Sequence, residues 1–294
     1  MMKTLNITAL LLLSFSLFCS FSHAQDWAGE KEWAEQIALR YDPAGWPAKN
    51  GPVVAGLEMG KELTEGFGLS SDYNLWIDVD DERIVQRYFT APEGRTTVGI
   101  AAARSCAAAH KVLFKHLARP RAMVPLEPPA LPYGEIRLEG VGDICFATPI
   151  AGGGGFHSIA FTRFNVAVLL RTFDREAAGT LRDLAVAFDK AIVGQRLYKD
   201  WISSNQWPEI VRFDAAATRV KTKSIVPLAV DLSTPASIGT PLVIDWEMSA
   251  GGIATIEDAS NYHAEGEGVE SLTLLVADQR GLTTSSKIEF EITR

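Results

Sequence analysis

The sequence predicts an α+β protein in which two βββα halves share one antiparallel sheet with helices on one face, followed by a small all-β sandwich. Three observations lead there. Short strand-like runs recur in threes, and each trio is followed by a helix with a single apolar stripe. A proline-rich stretch, 119–134, separates the trios. Beyond Lys221 helical periodicity disappears and alternation of β-branched and apolar residues replaces it.

The chain opens with Lys3, an apolar run over 9–18, and Ser22-His23-Ala24. A positive start, a short apolar segment and small residues at the −3 and −1 positions form the layout of a secretory signal peptide, 1–24, cut after Ala24. The run is short for a bilayer span, and no later stretch is long enough, so no transmembrane anchor is expected in the mature chain. Cys19 follows Phe18, where a lipid-bearing cysteine needs a small residue, so the lipoprotein reading is set aside. The expected location is periplasmic or extracellular.

The α+β domain is expected over 25–215, with halves at about 70–118 and 140–194. A helix begins it, with Trp33, Ile37 and Tyr41 at every fourth position and Asp42-Pro43 as its stop. Strands follow at 74–79, 83–90 and 96–101, and then a helix over 105–118 stopped by Pro120. The second trio covers 143–147, 158–163 and 165–170. Its helix, 175–193, carries Leu181, Leu184, Ala185, Phe188 and Ile192 on one face, with Gly194 as C-terminal cap. The prolines of 119–134 read as a stiff extended connector.

Strands at 225–230, 241–247, 272–277 and 287–292 make up the sandwich, 220–294. The segment Leu275-Val276-Ala277-Asp278-Gln279-Arg280-Gly281-Leu282-Thr283 resembles the late-strand signature of bacterial immunoglobulin-like modules of the PKD and cadherin-like kind. In those modules a strand ends in Asp, a turn carries Gly and a last strand begins. Trp246 of the Asp245-Trp246 pair lies where such modules often place a core aromatic. The resemblance covers the last quarter of the chain and implies an immunoglobulin-like fold. Cadherin-type calcium sites need acidic clusters at both module ends, and the sequence offers no such set.

The formal charge of −8 argues against nucleic acid or an anionic membrane as partner. Without Cys19 the chain keeps Cys106 and Cys145, an even pair that reads as a disulfide in an exported protein or as two small buried core residues. Cys106 and His110 lie one turn apart near a helix start, the spacing of a thiol nucleophile and its base, although an Ala-rich structural helix explains them as well. Asp78, Asp80, Asp81 and Glu82 crowd a hairpin tip without EF-hand spacing and read as a solvated turn. Gly152 to Gly155 lie between two strands and lack the Lys-Ser/Thr of a phosphate loop, so they read as a flexible hairpin loop. Trp201 and Trp207, with Tyr198 and Phe213, read as an interdomain plug or as a stacking platform for sugar rings. His110, His116, His157 and His263 show no zinc spacing, and no residue set argues for a bound cofactor.

The leading expectation is an exported, non-catalytic binding or accessory protein of the bacterial envelope, with an envelope protein or a glycan as partner. The alternatives are a hydrolase or thiol enzyme using Cys106 and His110, and a glycan binder using Trp201 and Trp207.

Overall fold

The computed structural model describes residues 30–41, 53–54, 66–79, 82–123, 136–150, 152–194, 197–198, 208–233, 243–249, 261–264, 266–278 and 283–294. The chain is β-rich, with few helices and mainly antiparallel sheets, as an α+β protein requires. The elements in order are α1 (Glu30–Tyr41), β1 (Val53–Val54), β2 (Ser70–Val79), β3 (Glu82–Thr90), β4 (Thr96–Ala102) and α2 (Cys106–Met123). Next come β5 (Ile136–Arg137), β6 (Ile144–Pro149), β7 (Phe156–Arg163), β8 (Val166–Thr172), α3 (Arg175–Val193) and β9 (Leu197–Tyr198). The chain ends with β10 (Glu209–Ala215), β11 (Arg219–Lys221), β12 (Ile225–Ser233), β13 (Val243–Met248), β14 (Asn261–His263), β15 (Gly268–Ala277) and β16 (Thr283–Thr293). The proposed leader, 1–24, lies outside the described residues. Among those described, no helix is long and apolar enough to cross a membrane.

Seven strands form one antiparallel sheet in the order β2-β3-β4-β8-β7-β6-β5. Successive side chains of a strand point to opposite faces, so the core clusters show where each helix lies. Leu113, Phe114 and Leu117 of α2 pack with Ile144, Phe146, Ala160 and Leu169. Leu181, Ala185, Phe188 and Ile192 of α3 pack with Cys145, Ala147, Ile159, Phe161, Val168 and Leu170. These are alternate residues of the same strands. The two helices therefore cover opposite faces, which corrects the expectation of helices on one face. A two-fold axis normal to the sheet would place both helices on the same side, so the two βββα runs are not related by such an axis. Helix α1 joins the α2 side through Ile37.

On the α2 side, Gly99 stands across from Tyr88 and Leu169. A Cβ there would lie 2.8 Å from the Gln86 amide nitrogen and 3.0 Å from the Tyr88 ring. The missing side chain makes room for the buried hydrogen bond from the Tyr88 hydroxyl to Gln86 Oε1, 2.9 Å.

Helix boundaries follow local chemistry. Asp174 caps α3, its carboxylate accepting from the Glu176 and Ala177 amides, both at 2.9 Å. The amide of Ala177 is the main reason its pKa lies below the ordinary value, with the Glu176 amide and the Arg95 guanidinium adding to it against desolvation. Gly194 caps the other end in a right-handed conformation, donating to the Lys190 and Ile192 carbonyls. Helix α2 does not stop at Ala118. It continues through Pro120 to Met123, on a shaft anchored by the buried Leu113, Phe114 and Leu117.

The C-terminal unit has two sheets, β10-β12-β14 and β11-β16-β15-β13, and β11 runs parallel to β16. Their facing residues, including Phe213, Val226, Leu228 and Tyr262 against Leu272, Leu274, Val276 and Phe290, form one core. Tyr262 stacks on Phe290 with ring centroids 4.0 Å apart and donates to the buried Glu270 carboxylate at 2.5 Å. Burial and that bond hold the Tyr262 hydroxyl above its ordinary pKa.

Candidate functional site

Among the described residues, a polar arrangement spanning several elements lies at the seam where the C-terminal unit meets the β2–β3 edge. Trp76 and Val85, a register pair, turn away from α2 and are buried against Leu275 and Ala277 of β15. The Trp76 indole donates to Asp245 Oδ2 at 2.9 Å, and Asp245 Oδ1 accepts from the Trp246 amide at 2.8 Å. Arg83 donates through Nε to Asp78 at 2.7 Å and through Nη1 to Glu247 of β13. Burial pulls the Arg83 guanidinium down, but its bonds to Glu247 and Asp78 outweigh that and raise it above its ordinary value. The Thr283 hydroxyl donates to the Arg83 carbonyl, and Arg104 Nη2 donates to the Thr283 carbonyl at 3.3 Å. Asp78 is thus a clasp for Arg83 and not simply part of a solvated turn; Asp80 and Asp81 lie outside the described residues. Arg83→Ala leaves Glu247 half-buried without its partner, and such losses cost about 2–3 kcal/mol. The expected result is a urea unfolding curve split into two transitions, one per unit; a single unshifted transition counts against the seam.

The predicted disulfide between Cys106 and Cys145 is not formed; both cysteines are unbridged and buried. The reason is topological: Cys145 faces α3, whereas Cys106 begins α2 on the other side of the sheet. Burial first, and then the negative charge of Asp189, push the Cys145 thiol up to about 12, so it is a poor nucleophile. Cys106 and His110 are each 1 % exposed. Their helix start is capped by Ser105, whose hydroxyl accepts from the Ala108 amide at 3.1 Å. Denatured, unreduced chain beginning at Gln25 is expected to release two titratable thiols, and native protein almost none. A count of zero after denaturation would restore the disulfide.

A second network ties the residue before β6, the end of β7 and α3. Arg163 grips Asp189 with two bonds, Nε at 2.6 Å and Nη2 at 2.7 Å, and Asp143 with Nη1 at 2.9 Å. Asp143 also accepts the Phe164 amide at 2.7 Å, holding Phe164 at φ 53°. Asp189 is the chief cause of the raised Arg163 pKa. Each of the three side chains finds its partners inside the fold. Sequence spacing gave no sign of it, since the three residues lie in three separate stretches of the chain.

The glycines at 152–155 all have positive φ. Gly152 to Gly154 are exposed with nothing within 4 Å of their Cβ positions, but the loop is pinned at its end. Gly155 lies against α3 so closely that a Cβ would stand 2.1 Å from the Ala178 carbonyl oxygen. Of the predicted aromatic plug, Phe213 belongs to the C-terminal core and packs on Trp246 at 5.7 Å. Trp201 and Trp207 lie outside the described residues. Among those described, no three His, Cys, Asp or Glu side chains gather as metal ligands. The chain matches no established protein family and no curated protein sequence.

Proposed function

We propose that this is an exported, non-catalytic binding or accessory protein of the bacterial envelope, with an envelope protein or a glycan as its partner. The observation that carries this reading over the thiol-enzyme alternative is the burial of Cys106 and His110, which leaves that pair no access to a substrate. The C-terminal unit is read as an immunoglobulin-like module. The support is its first strand, which divides into β10 on one sheet and β11 parallel to the last strand on the other. On this reading the module begins by Glu209, where β10 first pairs with β12. The α+β domain is read as two βββα runs, β2-β3-β4-α2 and β6-β7-β8-α3, meeting at the central pair β4–β8. The seam makes the module a fixed extension of that sheet and not a tethered one.

The test is chemical crosslinking in native envelopes followed by affinity purification, with a glycan array in parallel. A specific partner or glycan, retained after alkylation by iodoacetamide, is the expected result. Neither a partner nor a glycan, or turnover abolished in Cys106→Ala, would overturn the reading.

A further inference from the structure

On the face of β3 opposite α2 stand Arg83, Val85, Arg87 and Phe89 in order. The C-terminal unit takes the first two, Arg83 through Glu247 and Val85 through Leu275 and Ala277. Phe89 belongs to the core beneath α3. Arg87 occupies the interval between these two attachments and is half-buried.

Its treatment differs from that of Arg83 and Arg163, which are also half-buried. Arg83 and Arg163 each hold two carboxylates. Arg87 has one contact among the described residues, with its guanidinium carbon 5.2 Å from the centroid of the Phe89 ring. A guanidinium lying over a ring keeps its N–H edge available for a second partner. Burial holds Arg87 below its ordinary pKa, and among the described residues no carboxylate offsets it. A half-buried cation without a counter-charge is a cost to the fold, and a fold that keeps one has a group ready for an external anion. Across the β2–β3 pair, Asn74 is in register with Arg87. It shares that face, with Cβ atoms about 4.5–5.5 Å apart as in any directly opposed pair. A planar fork beside an amide matches the two oxygens of a carboxylate, one accepting from each group. A single charge costs less to bring into a partly desolvated place than the double charge of phosphate.

We propose that Arg87 and Asn74 form the recognition end of a binding site for an organic carboxylate monoanion. This site stands on its own residues and holds whether or not an envelope partner is found.

The experiment is a titration of ¹⁵N-labelled full chain with acetate and benzoate, with phosphate as the contrasting arm, following arginine Nε–H resonances. The Arg87 resonance is expected to shift saturably with the carboxylates while those of Arg83 and Arg163 stay in place. Arg87→Lys and Asn74→Ala each weaken binding about tenfold, the loss of roughly one good charge-assisted hydrogen bond. Arg87→Met abolishes binding and raises the unliganded Tm by about 2 °C or more, since an uncompensated charge is removed. An unchanged Arg163 resonance reports that each variant is folded. Equal shifts at the exposed Arg212 and Arg219, no saturable shift at Arg87, or a lower Tm for Arg87→Met would each overturn the proposal. Phosphate binding as tightly as the carboxylates would overturn the assignment of ligand class.

Discussion

Asp189→Ala is expected to cost about 3 kcal/mol or more of folding stability, the range found when one partner of a buried ion pair is deleted. Asp189 takes two of the three bonds that Arg163 makes, and only 10 % of its side chain is exposed. Its loss leaves a largely desolvated guanidinium with Asp143 alone and releases the grip of α3 on the end of β7. The comparison that identifies the cause is Asp189→Leu with Arg163→Met. The double change is expected to be less damaging than Asp189→Ala, because it removes the stranded charge as well as the pair. Urea midpoints at constant slope read both results. A loss below about 1 kcal/mol for Asp189→Ala would place this network among ordinary surface ion pairs.

Gly155→Ala is expected to be of similar severity, about 3 kcal/mol, from two sources that add. A positive φ costs an L residue about 1–2 kcal/mol. The new methyl would also meet the backbone of α3, at 2.1 Å from the Ala178 oxygen and 2.8 Å from the Gly179 nitrogen, and backbone in a packed helix does not move aside at low cost. Gly153→Ala separates the two sources, because nothing lies within 4 Å of its Cβ position although φ is 85°. Only the conformational part, about 1 kcal/mol, is expected there. Equal losses at the two positions, read by thermal unfolding, would mean that the hairpin does not rest on the helix.

Helix α3 was legible because its signals agree: a stripe from Leu181 to Ile192 followed by Gly194. The stripe says that the helix covers a sheet but not which face. That information sat in the strands instead. Ile144-Cys145-Phe146-Ala147 and Val166 to Leu170 are unbroken apolar runs, and a strand that does not alternate is covered on both sides. Taken that way, they call for helices on both faces of the sheet. Counting cysteines in an exported chain carries no such spatial information. The Arg163 network was illegible for a different reason, because charged residues brought together by tertiary packing leave no period in the sequence. Strand β11 was missed because Arg219-Val220-Lys221 is short and polar, and it exists through pairing with β16, some seventy positions later in the chain. The seam did leave a trace. Leu274-Leu275-Val276-Ala277 interrupts the alternation expected of a sandwich strand with one face in solvent.

Strand β15 thus serves two interiors at once, Leu274 and Val276 on one side, Leu275 and Ala277 on the other. In time this has a consequence. A ribosome makes the β2–β3 hairpin early, but the residues that shield Trp76 and Val85 emerge almost last. Until then the newborn chain shows an uncovered aromatic edge strand, the kind of surface that pairs with the wrong neighbour. Contacts so far apart along the chain also close slowly. The two units therefore mature as one, and a transcript cut short within the final strands yields a first unit that is complete in sequence yet unfinished at its edge.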